Sequence, residues 1–73
     1  MNIKKAKVIR LSTQDGLFEF ADHISIGMEY DIDTDKQEDM KFYNTEHDVY
    51  HDKLMVYDIL GGYLPVECLK IED

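Results

Sequence analysis

Three groups of residues have types and spacings that could do chemistry. Asp31-x-Asp33-x-Asp35, with Asp39 eight residues after Asp31, resembles the opening of a calcium loop, where alternate carboxylates converge on one hard cation. Such a loop needs Gly at its sixth position and Glu at its twelfth. Here those positions hold Lys36 and Phe42, so a solvated strand face running into an acidic loop is the favoured reading. His47 and His51 are four residues apart, beside Glu46, Asp48 and Asp52. On a helix both imidazoles share one face and could hold a divalent metal. Two histidines fall short of a four-ligand site, and no Glu follows the first His as in zinc proteases. His23 and Cys68 add ligands only if the fold brings them close. His47 and His51 are therefore the candidate metal ligands, and two exposed loop histidines beside acids is the plainer reading.

The remaining candidates argue against catalysis. Cys68, between Val66 and Leu69, reads as a small core residue, since Glu67 and the global charge oppose a lowered thiol pKa. Ser12, Thr13 and Asp15 with a distant His supply the residue types of a hydrolase, but so does the composition of most proteins. Gly61-Gly62 lacks the Lys and helix that follow a phosphate loop. No catalytic residue and no cofactor are expected.

Composition narrows the class further. The chain has 73 residues, of which 44% are hydrophobic, enough to fold as one small domain over residues 1–73. A chain this short buries only about 60% of the surface its unfolded form exposes. Sixteen acids against eight bases give a net charge of −8. That disfavours binding to phosphate backbones or anionic membranes. A single Cys excludes an intrachain disulfide. The longest apolar runs, such as Leu54-Met55-Val56-Tyr57, are far shorter than the about 20 residues of a membrane helix. The expected setting is cytoplasmic. Charge is uneven: Lys4, Lys5, Lys7 and Arg10 lie in the first ten residues without an acid among them, whereas Glu29 to Asp39 holds six acids against Lys36.

The elements that must position these residues read as strands. Met28, Tyr30 and Ile32 alternate with Glu29, Asp31 and Asp33, the period of a half-buried strand. Gly27 marks the turn before it. A first strand is expected over about Ile3 to Leu11, then a turn at Thr13 to Gly16, with Leu17 to Phe20 as an extra strand or loop arm. Residues 54–58 and 62–66 form a hairpin about Gly61-Gly62, where φ > 0 costs nothing. Pro65 belongs at an edge or strand end. Residues 66–69 suit one 3-10 turn, and Leu69 to Ile71 a brief final strand. Between Thr34 and Lys53, Met40 to Tyr43 could pair with residues near 49–57, and Thr45-x-x-Asp48 is a helix-start pattern. Phe18, Phe20, Tyr30 and Phe42 are the expected core aromatics. Tyr43, Tyr50, Tyr57 and Tyr63 are expected at least partly exposed. The sum is an all-β small barrel of five to six short antiparallel strands, with a long acidic loop and a short 3-10 turn near the C-terminus.

This pattern resembles small SH3-like proteins of bacteriophages and Gram-positive bacteria. The matching stretches are Val8 to Leu11, Gly27-Met28-Glu29-Tyr30-Asp31-Ile32, Val56-Tyr57-Asp58, Gly61-Gly62 and Leu64 to Ile71. They cover about half the chain, and the 34–53 segment is longer than the pattern expects. The resemblance implies an SH3-like barrel and a small accessory protein that acts by binding a host or phage protein, in the bacterial cytoplasm. It implies no catalytic residue.

Function is therefore sought in the surface. Aromatics beside acids make protein-contact area, because Tyr supplies large area at low entropic cost. The leading expectation is a non-enzymatic protein-binding module that modulates or inhibits a host protein through Asp31, Asp33, Asp35, Glu38, Asp39, Tyr43 and Tyr50. A second is an acidic nucleic-acid mimic that occupies the basic groove of a DNA- or RNA-binding enzyme. A third is a metal-binding protein using His47 and His51. Acidity serving solubility alone is the plain counterpart of the first two. Direct nucleic-acid binding through Lys4, Lys5, Lys7 and Arg10 is disfavoured at −8 overall.

Overall fold

A computed structural model describes residues 1–72. The chain is all-β: β1 (Ile3–Val8), β2 (Glu29–Asn44), β3 (Val49–Asp58), β4 (Gly62–Pro65) and β5 (Leu69–Ile71), with one 3-10 turn at Val66–Cys68. The strands form a single antiparallel sheet in the order β4-β3-β2-β1-β5.

The alternation around Tyr30 and Ile32 sets the register. Lys4 pairs with Ile32 and Ala6 with Tyr30, so Ile32, Tyr30 and Ala6 share one face. That face holds the core, where Ala6, Val8, Ile32, Val56, Cys68 and Leu69 pack with Phe20 from the 9–28 segment. Phe18, Ile24, Tyr30, Leu64, Val66 and Ile71 close around them. Each large apolar side chain among them contributes about 1.5–3 kcal/mol on full burial. Phe20 is the buried aromatic, and Phe18 and Tyr30 are half-buried around it. Phe42 is also half-buried but lies out along the β2–β3 hairpin, where its ring meets Phe18 edge-on at 6.5 Å.

Two turns follow directly from their residues. Gly61 adopts φ 103° between β3 and β4, and Asp58 caps that turn by accepting the Gly61 N–H on its carbonyl and the Leu60 N–H on its carboxylate. Pro65 ends β4, and the chain enters the 3-10 turn, as its fixed φ and missing N–H favour.

The structure departs from expectation in several places. The sheet does not close into a barrel: β4 and β5 are its two edges, and they are four and three residues long. Next, residues 34–53 are no acidic loop. They form most of a long hairpin in which β2 continues through Asn44 and β3 begins at Val49. Thr45-x-x-Asp48 starts no helix. It is the hairpin's turn, where the Asn44 carboxamide oxygen accepts the N–H groups of Glu46 and His47, and Asp48 takes φ 53°. The first strand also stops at Val8. Within the 9–28 segment only a bridge between Ser12 and Glu19 pairs the backbone as strands do.

A bulge separates the two halves of the hairpin. Asp33 pairs with Tyr57, yet Gln37 pairs with Val56, so residues 34–36 have no partner across the ladder. Below the bulge β2 lies between β1 and β3. Beyond it, from Glu38 to Asn44, β2 pairs with β3 alone.

Candidate functional site

The outer half of the β2–β3 hairpin is a two-stranded ribbon, so its two faces can be read from the register. Asp39 opposes Leu54, Lys41 opposes Asp52 and Tyr43 opposes Tyr50, which places these six side chains on one face. Met40 opposes Lys53 and Phe42 opposes His51 on the other. The second face turns toward the 9–28 segment, through Phe42 against Phe18 and through Lys53 against Asp15. The first faces solvent: Tyr43 is 45% exposed, Tyr50 67% and Leu54 46%.

On this outer face the two tyrosine rings meet at 5.1 Å between centroids, tilted by 54°. The Tyr43 hydroxyl donates to the Asp48 carboxylate in the turn, which pushes its pKa up by holding the neutral phenol. Next along the face, Lys41 meets Asp52 at 3.3 Å. The result is a preorganised aromatic pair with a locally balanced ion pair beneath it and Asp39 and Leu54 at the base.

The predicted partner-binding residues divide accordingly. Tyr43, Tyr50 and Asp39 are exposed on the outer face, whereas Glu38, also exposed, opposes Met55 on the other face. Asp31, Asp33 and Asp35 do not join them in one acidic face. Asp31 is half-buried and pairs with Lys5 at 2.8 Å across the β1–β2 ladder. Asp33 is only 3% exposed. Its Oδ1 accepts the N–H groups of Asn2 and Asp35, which hold its pKa down. This carboxylate is a structural cap on the bulge. Asp35 is exposed and meets the N-terminal ammonium at 3.2 Å. The alternating carboxylates therefore each have separate partners and do not gather for a cation.

His47 sits in the hairpin turn and His51 on β3, both exposed, so the helical spacing that would align them is absent. Among the described residues no group of three or more His, Cys, Asp or Glu is placed to hold a metal ion. Cys68 is fully buried, and burial pushes its thiol pKa up. In the basic N-terminal stretch, Lys5 faces Asp31, and Lys7 meets Glu72 at 3.6 Å.

One organising residue has no signature in the sequence. Lys53 bridges Asp15 and Glu67, with only 14% of its side chain exposed. Asp15 also accepts the Thr13 hydroxyl at 2.8 Å and the Leu17 N–H, while Glu67 accepts the Gln14 N–H at 3.0 Å. The Lys53 ammonium holds the Asp15 carboxyl down to about 2. This knot fixes the 9–28 segment against the inner face of the ribbon and leaves the outer face open. No helix among the described residues is long and apolar enough to cross a membrane. Comparison with protein-family models, with characterised proteins and with solved structures finds no match.

Proposed function

We propose that this chain is a non-enzymatic protein-binding module whose contact surface is the outer face of the β2–β3 hairpin. The observation that carries the reading is the Tyr43–Tyr50 pair, in ring contact and exposed on the ribbon's solvent face. Rigid tyrosines give contact area at small entropic cost, and they concentrate at binding hot spots. An SH3-like relationship is part of the proposal. It is supported by the strand order β4-β3-β2-β1-β5, the long segment between β1 and β2, and the 3-10 turn before β5. In this reading the protein is a phage-type accessory factor that modulates or inhibits a bacterial host protein.

The alternative, a nucleic-acid mimic, asks for a row of uncompensated carboxylates at phosphate-like spacing. On the outer face Lys41 stands beside Asp52, and below the bulge Lys5 stands beside Asp31, so cations interrupt that row. The apolar-aromatic reading is preferred on this ground. A photo-crosslinking side chain placed at Tyr50 or, as a control, at Lys7 tests it in bacterial lysate. The expected result is one specific adduct from position 50 that persists at high salt. An adduct whose yield falls steeply as salt rises supports mimicry instead, since exposed charges are screened. Adducts of equal yield from both positions overturn the assignment of the face.

A further inference from the structure

The flank of β3 is occupied by β4 only between Met55 and Asp58. At Pro65 the strand ends and the chain turns into the 3-10 turn. Among the described residues, β3 from Val49 to Leu54 therefore has β2 on one side and no strand on the other. Where β4 leaves, there is a groove of about 310 Å³ lined by Asp52, Lys53, Leu54, Val66 and Glu67. The groove lies between this stretch of β3 and the 3-10 turn that follows β4. An unpaired strand edge beside a groove is a template for strand addition, in which main-chain bonds give affinity and alternate side chains give specificity.

We propose that this flank accepts an extended segment of a partner protein as an added strand, running antiparallel to β3 in line with β4. The inference rests on the protein-binding reading above and specifies its partner chemistry. Residues of the added strand opposite Tyr50, Asp52 and Leu54 lie on the outer face, because side chains alternate and cross-strand neighbours share a face. Asp52 is more than half exposed and meets Lys41 through Oδ1 at 3.3 Å. Leu54 and Tyr50 flank it as exposed apolar area. The matching segment carries a basic residue with an apolar residue two positions away on each side. Net charge strengthens the match, as a chain at −8 attracts a basic segment. A second copy of this chain is a poor occupant: its own charge is repelled, and a symmetric register centred on Asp52 or Lys53 sets like charges opposite each other.

The test uses a capped probe peptide, Thr-Val-Thr-Lys-Thr-Val-Thr, added to isotope-labelled protein up to about 1 mM. Backbone amide shifts are followed by NMR. Saturable shifts at residues 49–54 and at Glu67, without equal shifts at Lys5 and Asp31, are expected. A peptide N-methylated at its two Val residues loses N–H groups that face β3, because Tyr50, Asp52 and Leu54 turn their own backbone groups to the open flank while Ile59 turns its N–H to Asp31 on β2; one with Glu in place of Lys loses the charge match, and both are expected to lose most of the binding. Absence of shifts at 49–54, or equal binding by the N-methylated peptide, overturns strand addition. Concentration-dependent shifts of the protein alone identify a second copy as the occupant and overturn the partner assignment. Failure here with a specific adduct still forming from position 50 removes only the strand-addition claim.

Discussion

Lys53 on β3 and Asp15 in the 9–28 segment form an ion pair that is mostly withdrawn from solvent. It joins the ribbon to a segment that otherwise holds only turns and one bridge. Replacing Lys53 with Met keeps the aliphatic stem but removes the cation between Asp15 and Glu67. The expected loss is about 1 kcal/mol, close to the range for surface pairs because both carboxylates remain partly wet. Urea titration measures that loss. Amide exchange at Thr13, Leu17 and Phe18 should quicken more than at Ile32, and uniform exchange across the chain would show that the knot holds nothing locally.

Acid stability follows from the same knot. Asp15 sits at about 2 in the folded chain, and Glu67 and Asp33 are also lowered. Unfolded carboxyls titrate near about 4, so between about pH 4 and pH 2 the unfolded chain binds more protons. Folding is therefore stabilised fully above about pH 4, and that contribution is lost as pH falls toward 2. Asp15→Asn should flatten this part of the stability curve while lowering the plateau at neutral pH. An unchanged acid limb would separate Asp15 from acid unfolding.

Cys68 should be inert to thiol reagents in the native state. It is fully buried with a raised thiol pKa, so labelling requires opening of the fold. The labelling rate should rise with urea in step with unfolding. Fast labelling in native buffer would contradict the packing of the 3-10 turn against the core.

Ile32 lies at the centre of that core with no exposed surface. Ile32→Val should cost about 0.5–1.5 kcal/mol by leaving a methylene-sized gap. Changing Leu60, which is largely exposed in the β3–β4 turn, to Ser should leave stability within about 0.5 kcal/mol. Equal effects at the two positions would place the core elsewhere.

The parts of the fold legible in the sequence are those where one face is buried. Tyr30 and Ile32 against Asp31 mark the inner half of β2, and Gly61 and Pro65 bound β4. The middle of β2, Asp35 to Asp39, is not legible as strand because all five residues are polar and exposed, so hydrophobic alternation has nothing to report there. Met40 to Tyr43 does suggest pairing, and its true register is hidden by the bulge at 34–36. For the site, Tyr43 and Tyr50 read as exposed aromatics. Their direct opposition follows from their equal distances from the middle of the 44–49 turn, once Asn44 is taken as the residue that caps it. Asp33 is misplaced by alternation, which assigns it to solvent. The Asn2 and Asp35 N–H groups that bury it belong to a chain end and a bulge, which carry no period.

The central claim is that the outer face of the ribbon is a contact surface and not part of what holds the fold. Tyr43→Ser and Tyr50→Ser together test it most directly, with stability and partner capture measured on the same protein. A cross-strand pair of this kind contributes about 0.2–1 kcal/mol, so the urea midpoint should fall only slightly. Capture of the protein that crosslinks from position 50 should fall at least tenfold, the consequence of losing about 1.4 kcal/mol or more of binding. Undiminished capture by a folded double variant would contradict the account.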